Sequence, residues 1–320
     1  MTSSPYRPRA RISVAAVVGL ALALALSPAG PAEAVGANPY AAGAGHIDPA
    51  SQAAAAARRE PDRTRAVLLR TIAGQPQFAW FGTWTPSPRT AVQSLVRDAR
   101  SSRRLPQVVV YALPHLDCSG GGLGGPAYRT WVREVAAGLR GGPSVVVVEP
   151  DALAMLDCLS PAAQRERLSL LRDALAVLRA AGATTYIDAG HAGWHSPAVM
   201  AGRLRAADVT GARGVALNVS NYGSTITQAR YAAALAAEIP GLHAVIDTSR
   251  NGRGGLAGQW CNVADQGLGT RPRRAADPVV DALVWVKRPG ESDGHCGRGE
   301  PVAGQFWSAY AVGLAQRAAG

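Results

Sequence analysis

The sequence contains almost no lysine, since Lys287 is the single lysine among 33 basic residues. After residue 26 it also lacks an apolar stretch of the roughly 20 residues that a bilayer-spanning helix requires. No Ser/Thr/Pro-rich linker and no second block of composition divide the chain. We therefore expect a mature protein without a membrane segment, built as one α/β domain.

Several binding and catalytic motifs are missing. There is no G-x-S-x-G nucleophile elbow and no phosphate-binding glycine loop. His191 and His195 have the spacing of a zinc-binding helix, but Ala192 stands where the H-E-x-x-H motif requires glutamate. No C-x₂-C pair exists either, so we expect no metal and no cofactor. The formal charge of +11 comes from scattered arginines without a basic run interleaved with aromatics, which argues against a nucleic-acid partner.

The first residues have the features of a secretory signal peptide. Arg7, Arg9 and Arg11 precede the apolar run of residues 12–26, and Ala32-Glu33-Ala34 is a small-x-small cleavage site. We therefore predict a signal peptide over residues 1–34 and a secreted, extracellular domain over residues 35–320.

The four cysteines of an exported chain predict two disulfides, for which three pairings are possible.

Short β-type runs alternate with longer helical ones, which predicts a βα barrel. Several runs are continuous Val/Ile stretches, as expected of parallel strands buried on both faces. Seven strands are one short of a regular barrel, so either the barrel is incompletely closed or one strand has been missed. The predicted strands are Phe78–Phe81, Val108–Leu113, Val145–Val148, Thr185–Ile187, Val215–Leu217, Ala244–Ile246 and Ala282–Val286. Helical patterns cover about Pro49 to Ile72, Pro161–Ala181, with Ser160 as its cap, and Thr225–Ile239.

Polar segments follow every predicted strand, and in a barrel these strand ends meet on one face. That face is rich in carboxylates, the groups that glycoside hydrolysis uses as acid and base. Four tryptophans also lie at strand ends, and flat aromatic faces can stack on sugar rings. A single such residue is more often a cap, a turn or core, so the prediction depends on their joint occurrence. The carboxylates are Asp117, Glu149, Asp151, Asp188, Asp247, Glu291 and Asp293, and the tryptophans are Trp80, Trp84, Trp194 and Trp260.

Six segments in order resemble glycoside hydrolase family 6, most closely its compact bacterial endoglucanases. They are Tyr111-Ala-Leu-Pro-His-Leu-Asp117-Cys118, Val148-Glu-Pro-Asp151, Tyr186-Ile-Asp188-Ala-Gly-His191-Ala-Gly-Trp194, Asn218-Val-Ser-Asn221-Tyr, Asp247-Thr-Ser-Arg250-Asn-Gly and Trp285-Val-Lys287-Arg-Pro-Gly-Glu291-Ser-Asp293-Gly. The resemblance implies a distorted, incompletely closed seven-stranded parallel barrel. It also implies an inverting β-1,4-glucanase that acts on cellulose-like polysaccharides. We expect the protein to be a monomer.

The resemblance also implies roles for individual residues. Asp151 is the general acid, Asp117 raises its pKa and helps to position water, and Asp188 is a supporting carboxylate. Asp293 is the proposed base, and Tyr111 crowds the sugar at the cleavage point. The implied disulfides are Cys118–Cys158 and Cys261–Cys296. The implied sugar-binding residues are Trp80, Trp194, His191, Asn221, Trp260, Lys287 and Glu291.

One loop departs from the family pattern. Members usually carry a water-holding serine a few residues after the Asp-Cys pair, whereas this chain has the short, glycine-rich segment 118–125. Either Ser119 takes that role or the loop is more mobile.

Modest rim segments predict an open cleft and endo action rather than an enclosed tunnel. Two rival functions stay open: a polysaccharide-binding protein that has lost catalysis, and a hydrolase of another β-glycan.

Overall fold

The computed structural model describes residues 1–3, 36–118, 120–255 and 258–318. The chain divides into two units, Met1–Gly30 and Pro31–Gly320, and every helix and strand given below belongs to the second. The predicted signal peptide therefore lies outside the described residues apart from its first three. Across the described ranges, no helix has both the length and the apolar character needed to cross a bilayer.

The core of the fold is a curled, mostly parallel sheet with the strand order β1-β2-β3-β4-β5-β6-β8-β7. Seven strands are parallel, and β7 pairs antiparallel with β8 at one edge. All seven strands predicted from the sequence are confirmed. The strands are β1 (Ala79–Gly82), β2 (Gln107–Tyr111), β3 (Ser144–Val148), β4 (Ala183–Asp188), β5 (Gly214–Leu217), β6 (His243–Asp247), β7 (Arg273–Arg274) and β8 (Val280–Val284).

The continuous valine runs are explained by burial on both faces of the sheet. Side chains alternate along a strand, so Val145 and Val147 pack inside the curled sheet while Val146 and Val148 pack outward against the helices. All four side chains are fully buried. A strand in this position needs apolar residues at every position, which removes the polar alternation of a half-exposed strand.

The barrel is incompletely closed, which is the first of the two alternatives left open by the sequence; the additional strand β7 is a two-residue antiparallel strand at the edge and does not close it. Among the described residues, no strand ladder joins β1 to β8. The gap is bridged by the Phe78 amide, which donates to the Trp285 carbonyl at 3.1 Å. The indole of Trp80 donates to the Val286 carbonyl at 2.8 Å. These bonds connect the start of β1 to the residues that directly follow β8.

Helices cover the outer face of the sheet and begin at the expected signals. Ser160 accepts from the amide of Ala163 and Pro161 follows it, as predicted for α5. The helical segment predicted from about Pro49 to Ile72 is divided at Pro61, and Asp62 caps the second helix. The helices are α1 (Gln52–Arg59), α2 (Arg63–Ala73), α3 (Pro88–Ser101), α4 (Gly125–Leu139), α5 (Pro161–Ala180), α6 (Pro197–Ala206), α7 (Thr225–Glu238) and α8 (Ser308–Gln316).

Candidate active site

The carboxyl ends of the parallel strands carry residues held in the left-handed region of the backbone. Asp117 follows β2 with φ of 53°, and Glu149 and Asp151 follow β3 with φ of 48° and 68°. Such a conformation costs a non-glycine residue on the order of 1–3 kcal/mol, and it is found where the surrounding structure dictates the geometry. At these strand ends it turns the chain sharply, so that consecutive polar side chains leave the sheet in different directions.

Asp151 and Asp117 line one small pocket together with Met155 and Arg167. Burial raises the pKa of Asp151 to about 7, and the negative charge of Asp117 adds to the effect. The Tyr111 hydroxyl donates to Asp117 at 2.7 Å. The structure therefore brings three of the predicted catalytic residues together. It gives one of them, Asp151, a carboxyl group that stays protonated close to neutral pH.

Asp188, at the end of β4, holds the backbone of Asp151. Its Oδ1 accepts the backbone amides of Asp151 and Gly190, both at 2.9 Å. Among the described residues its Oδ2 has no hydrogen-bond partner, and Asp188 is 1% exposed. Burial, and next the charge of Asp151, raise the pKa of Asp188 well above its ordinary value. A protonated Asp188 is therefore compatible with an ionised Asp151 beside it.

Glu149 lies under the loop that carries Asp117. Its carboxylate accepts the amides of Ala112, at 3.1 Å from each oxygen, and of Leu113, at 3.2 Å. The side chain is fully buried, and burial raises its pKa to about 7. The sequence placed Glu149 on the rim without a role. Its contacts make it an anchor for the end of β2, since a buried carboxylate needs such donors.

Asp293 occupies the opposite electrostatic environment. Its Oδ1 lies 3.1 Å from Nζ of Lys287, and its Oδ2 lies 2.7 Å from Nη1 of Arg250. The amide of Asn262 also donates to Oδ2 at 2.9 Å. Burial alone would raise the pKa of Asp293, but the charges of Arg250 and Lys287 outweigh it and lower the pKa to about 2. Asp293 is therefore ionised at every ordinary pH.

Arg250 is a site residue to which the sequence analysis assigned no role. Its side chain is 0% exposed, and it lies 4.5 Å from the ring centre of Tyr222. It also donates to the Ser220 carbonyl. Buried arginines nearly always have a paired carboxylate. An arginine three residues after a buried strand was the available signal, but the sequence could not show that its partner, Asp293, lies on another strand end.

Asp247 connects the strand ends around this cation pair. Its Oδ2 accepts the amides of Lys287, at 2.9 Å, and Ser220, at 3.1 Å, and its Oδ1 accepts the amide of Ser249 at 2.9 Å. These bonds join the ends of β5, β6 and β8. Asp247 thereby fixes the backbone from which Lys287 and Arg250 reach Asp293.

The predicted sugar-binding tryptophans lie at three places on the rim. Trp80 is half-buried, and its ring centre lies 5.7 Å from that of Tyr111. Trp194 is half-buried and lies 5.3 Å from the ring of His191. Trp260 is 61% exposed, beside one disulfide. The structure thus brings Trp80 to Tyr111, the partner of Asp117, and Trp194 to His191.

Two of the remaining predicted binding residues use side-chain oxygens for hydrogen bonds within the protein. Asn221 is half-buried, and its side-chain oxygen accepts the Tyr222 amide at 2.7 Å. Glu291 is only 9% exposed. Its Oε1 accepts from Nε2 of Gln52 at 2.8 Å and lies 3.5 Å from Nη1 of Arg288. Gln52 lies in α1, 239 positions earlier, so no local sequence signal could reveal this contact.

The glycine-rich loop after Asp117 is tied down at several points. Within it, Leu123 donates its amide to the Ala112 carbonyl at 2.9 Å, and the Gly121 carbonyl accepts the Leu116 amide at 3.3 Å. Just before Asp117, Arg167 donates to the Pro114 and His115 carbonyls at 3.0 and 2.6 Å. Ser119 lies outside the described residues, so its predicted role stays a prediction. The disulfides have the pairing that the resemblance implied, Cys118–Cys158 and Cys261–Cys296.

A curled parallel sheet with polar residues gathered at its carboxyl edge defines the class of α/β barrels whose site lies on the C-terminal face. Within that class, the chain belongs to the glycosyl hydrolases family 6, whose family model matches residues 38–318.

Curated relatives and a solved structure agree with this membership. The chain is 41% identical over 294 residues to Endoglucanase A of Thermobispora bispora, an alignment covering 88% of this chain and 63% of that protein. It is 37% identical over 310 residues to Endoglucanase 1 of Streptomyces halstedii, covering 92% and 95%. The endoglucanase Cel6 of Mycobacterium tuberculosis, solved with methyl-cellobiosyl-4-deoxy-4-thio-β-D-cellobioside, matches with a TM-score of 0.84 and 42% identity over 88% of this chain and 99% of that one. The chain spans less than two thirds of the Thermobispora relative.

Proposed function

We propose that this chain is a secreted, inverting β-1,4-glucanase that cuts within cellulose-like chains. The observation that carries the proposal is Asp151, a carboxyl group whose pKa is raised to about 7 beside Asp117 on a rim with tryptophans. A glycosidase acid must carry a proton near neutral pH and sit next to a sugar-binding surface. Membership of the family and the endoglucanase names of its relatives support the same activity.

In the proposed reaction, Asp151 donates its proton to the glycosidic oxygen as the bond to the leaving sugar breaks. A water molecule attacks the anomeric carbon from the opposite face, which inverts its configuration. Asp117 keeps the pKa of Asp151 high and helps to position that water. Tyr111, fixed by its hydrogen bond to Asp117, crowds the sugar ring into a distorted shape. Asp188 holds the Asp151 backbone.

Asp293 remains the candidate base, and its ion pairs define what that role requires. With a pKa lowered to about 2 it is a weak proton acceptor, because the charges of Arg250 and Lys287 stabilise its ionised form. To take a proton from water, it must give up part of its contact with one of these cations. Replacement by asparagine tests the role, since a base variant should lose turnover on activated and unactivated substrates alike.

Substrate would lie in an open cleft along the rim. We propose that Trp80, Trp194 and Trp260 stack on sugar rings and that His191, Asn221, Lys287 and Glu291 hydrogen-bond to hydroxyl groups. No cofactor and no nucleic acid takes part, and the monomer is the active unit. Residues 1–34 direct export as a signal peptide.

The test is hydrolysis of carboxymethylcellulose and of defined cello-oligosaccharides. Viscosity should fall sharply before much reducing sugar appears, and the first products should be α-anomers. A fall in viscosity only in proportion to cellobiose release would contradict endo action, and β-anomeric products would contradict inversion. Binding to cellulose without release of sugar would instead establish the polysaccharide-binding rival. Preference for a mixed-linkage glucan would establish the second rival.

A further inference from the structure

Trp84 is an exposed tryptophan on the rim that the proposed reaction does not use. It follows β1 and is 58% exposed. Its ring centre lies 6.5 Å from that of Tyr111, with the two planes at 49°. Tyr111 in turn donates its hydroxyl to Asp117. A flat apolar surface therefore lies next to Tyr111, the ring that is hydrogen-bonded to Asp117.

Gly82 makes room for this tryptophan. A Cβ atom at position 82 would lie 2.5 Å from Cη2 and Cζ3 of the Trp84 indole. The indole therefore folds back into the space that the side chain of any other residue would fill. Trp80 and Gly82 are two positions apart in β1 and face the same side of the strand. Trp84 thus lies on the side where Trp80 contacts Tyr111.

The indole of Trp84 is fixed against Gly82, yet most of its surface stays in contact with water. A large aromatic side chain gains stability mainly by leaving water, so an exposed one contributes little to folding. Single exposed apolar residues are common on protein surfaces. Trp84, however, extends a group of rings, since Trp80 and Trp84 flank Tyr111 at 5.7 and 6.5 Å.

We propose that Trp84 binds a glucosyl unit by stacking, adjacent to the unit held at Trp80 and Tyr111. This inference rests on the proposed function and adds a specific contact to it. The apolar face of a pyranose ring would cover the exposed indole and remove both surfaces from water. Trp84 is then a determinant of how tightly the cleft holds a chain.

The test is the affinity of the protein for cellotetraose, cellopentaose and cellohexaose, measured by calorimetry. An Asp151→Asn background is used so that the ligand is not cleaved. Trp84→Ala should weaken binding about tenfold, since the stacked apolar area is lost. Trp84→Phe should retain most of the affinity, because it keeps a flat face. Trp84→Leu, apolar but not flat, should behave like Trp84→Ala. The matched control is Val67→Ala, which removes an exposed apolar side chain (54% exposed) from α2 and should bind like the parent.

Equal binding by the parent and the Trp84→Ala variant, with thermal melting unchanged, would overturn the role of Trp84 and leave the proposed function standing. Affinity in Trp84→Leu equal to the parent would overturn stacking as the mode of contact. A parent that binds no cello-oligosaccharide, together with a wild-type protein that cleaves none, would overturn the proposed function and this inference with it.

Discussion

Two parts of the same rim place aspartate side chains in opposite electrostatic environments. At the ends of β2 to β4, Asp151 lies beside Asp117 and its backbone amide is held by Asp188, and burial raises the pKa values of Asp151 and Asp188. At the ends of β6 and β8, Asp293 is almost equally buried, but Arg250 and Lys287 lower its pKa to about 2. We call these the acid side and the cation side.

The comparison shows that the neighbours of a carboxylate, rather than its burial alone, decide whether it can deliver a proton. Desolvation acts on both sides, and the sign of the adjacent charges separates them. Pairs of carboxylates with diverging pKa values are how one site assigns acid and base roles. Substitutions and pH changes that act on one side alone should break this contrast.

The largest effect should follow from removal of the proton on the acid side. Asp151→Asn should lower hydrolysis of unactivated cello-oligosaccharides by about 10²- to 10⁴-fold, the usual scale of acid catalysis. Aryl glycosides with acidic leaving groups need little protonation and should lose less. Steady-state rates on both substrate types, with circular dichroism to check the fold, measure this. Near-normal activity on cellulose would remove Asp151 from the acid role.

Removal of a charge on the cation side should act first on stability. Arg250→Met leaves Asp293 buried beside Lys287 alone and should cost about 3–5 kcal/mol of unfolding free energy. The matched control is Arg205→Met, which breaks an exposed pair with Glu238 and should cost about 0–1 kcal/mol. Denaturant unfolding measures both variants. Equal costs for the two would contradict a tightly held cation side.

The two sides should also respond to pH with opposite signs. The raised pKa of Asp151 means that the folded state keeps a proton that the unfolded chain loses, so its contribution to stability falls as pH rises from about 4 to 7. The lowered pKa of Asp293 gives a contribution present above about pH 4 and lost as pH falls towards 2. Asp151→Asn should therefore gain stability relative to wild type between pH 4 and 7. The disadvantage of Asp293→Asn should shrink towards pH 2. Parallel stability curves would count against both assignments.

The smallest effect should come from a change of cation shape. Lys287→Arg keeps the charge near Asp293 but replaces a compact ammonium by a planar fork, and it should raise KM for cello-oligosaccharides several-fold. The reverse exchange Arg179→Lys, on the exposed face of α5, is the control and should change nothing. Unchanged kinetics in Lys287→Arg would make this lysine an ordinary cation.

Sequence patterns were sufficient for the parallel strands because burial on both faces forces continuous apolar runs such as Val145–Val148. They did not reveal β7, which consists of two exposed arginines without an apolar pattern. The carboxylates were found because they directly follow strands. Their division into an acid and a cation side was not fully visible, because Arg250 and Asp293 are 43 positions apart and meet only in the folded barrel.

The most direct test of this contrast is a carbon-13 titration of the aspartate carboxyl groups between pH 2 and 9, with variants for assignment. The signal lost in Asp151→Asn should titrate near pH 7, and the signal lost in Asp293→Asn should stay ionised down to about pH 2. Titration of both signals near 4, the ordinary range for aspartate, would contradict the account.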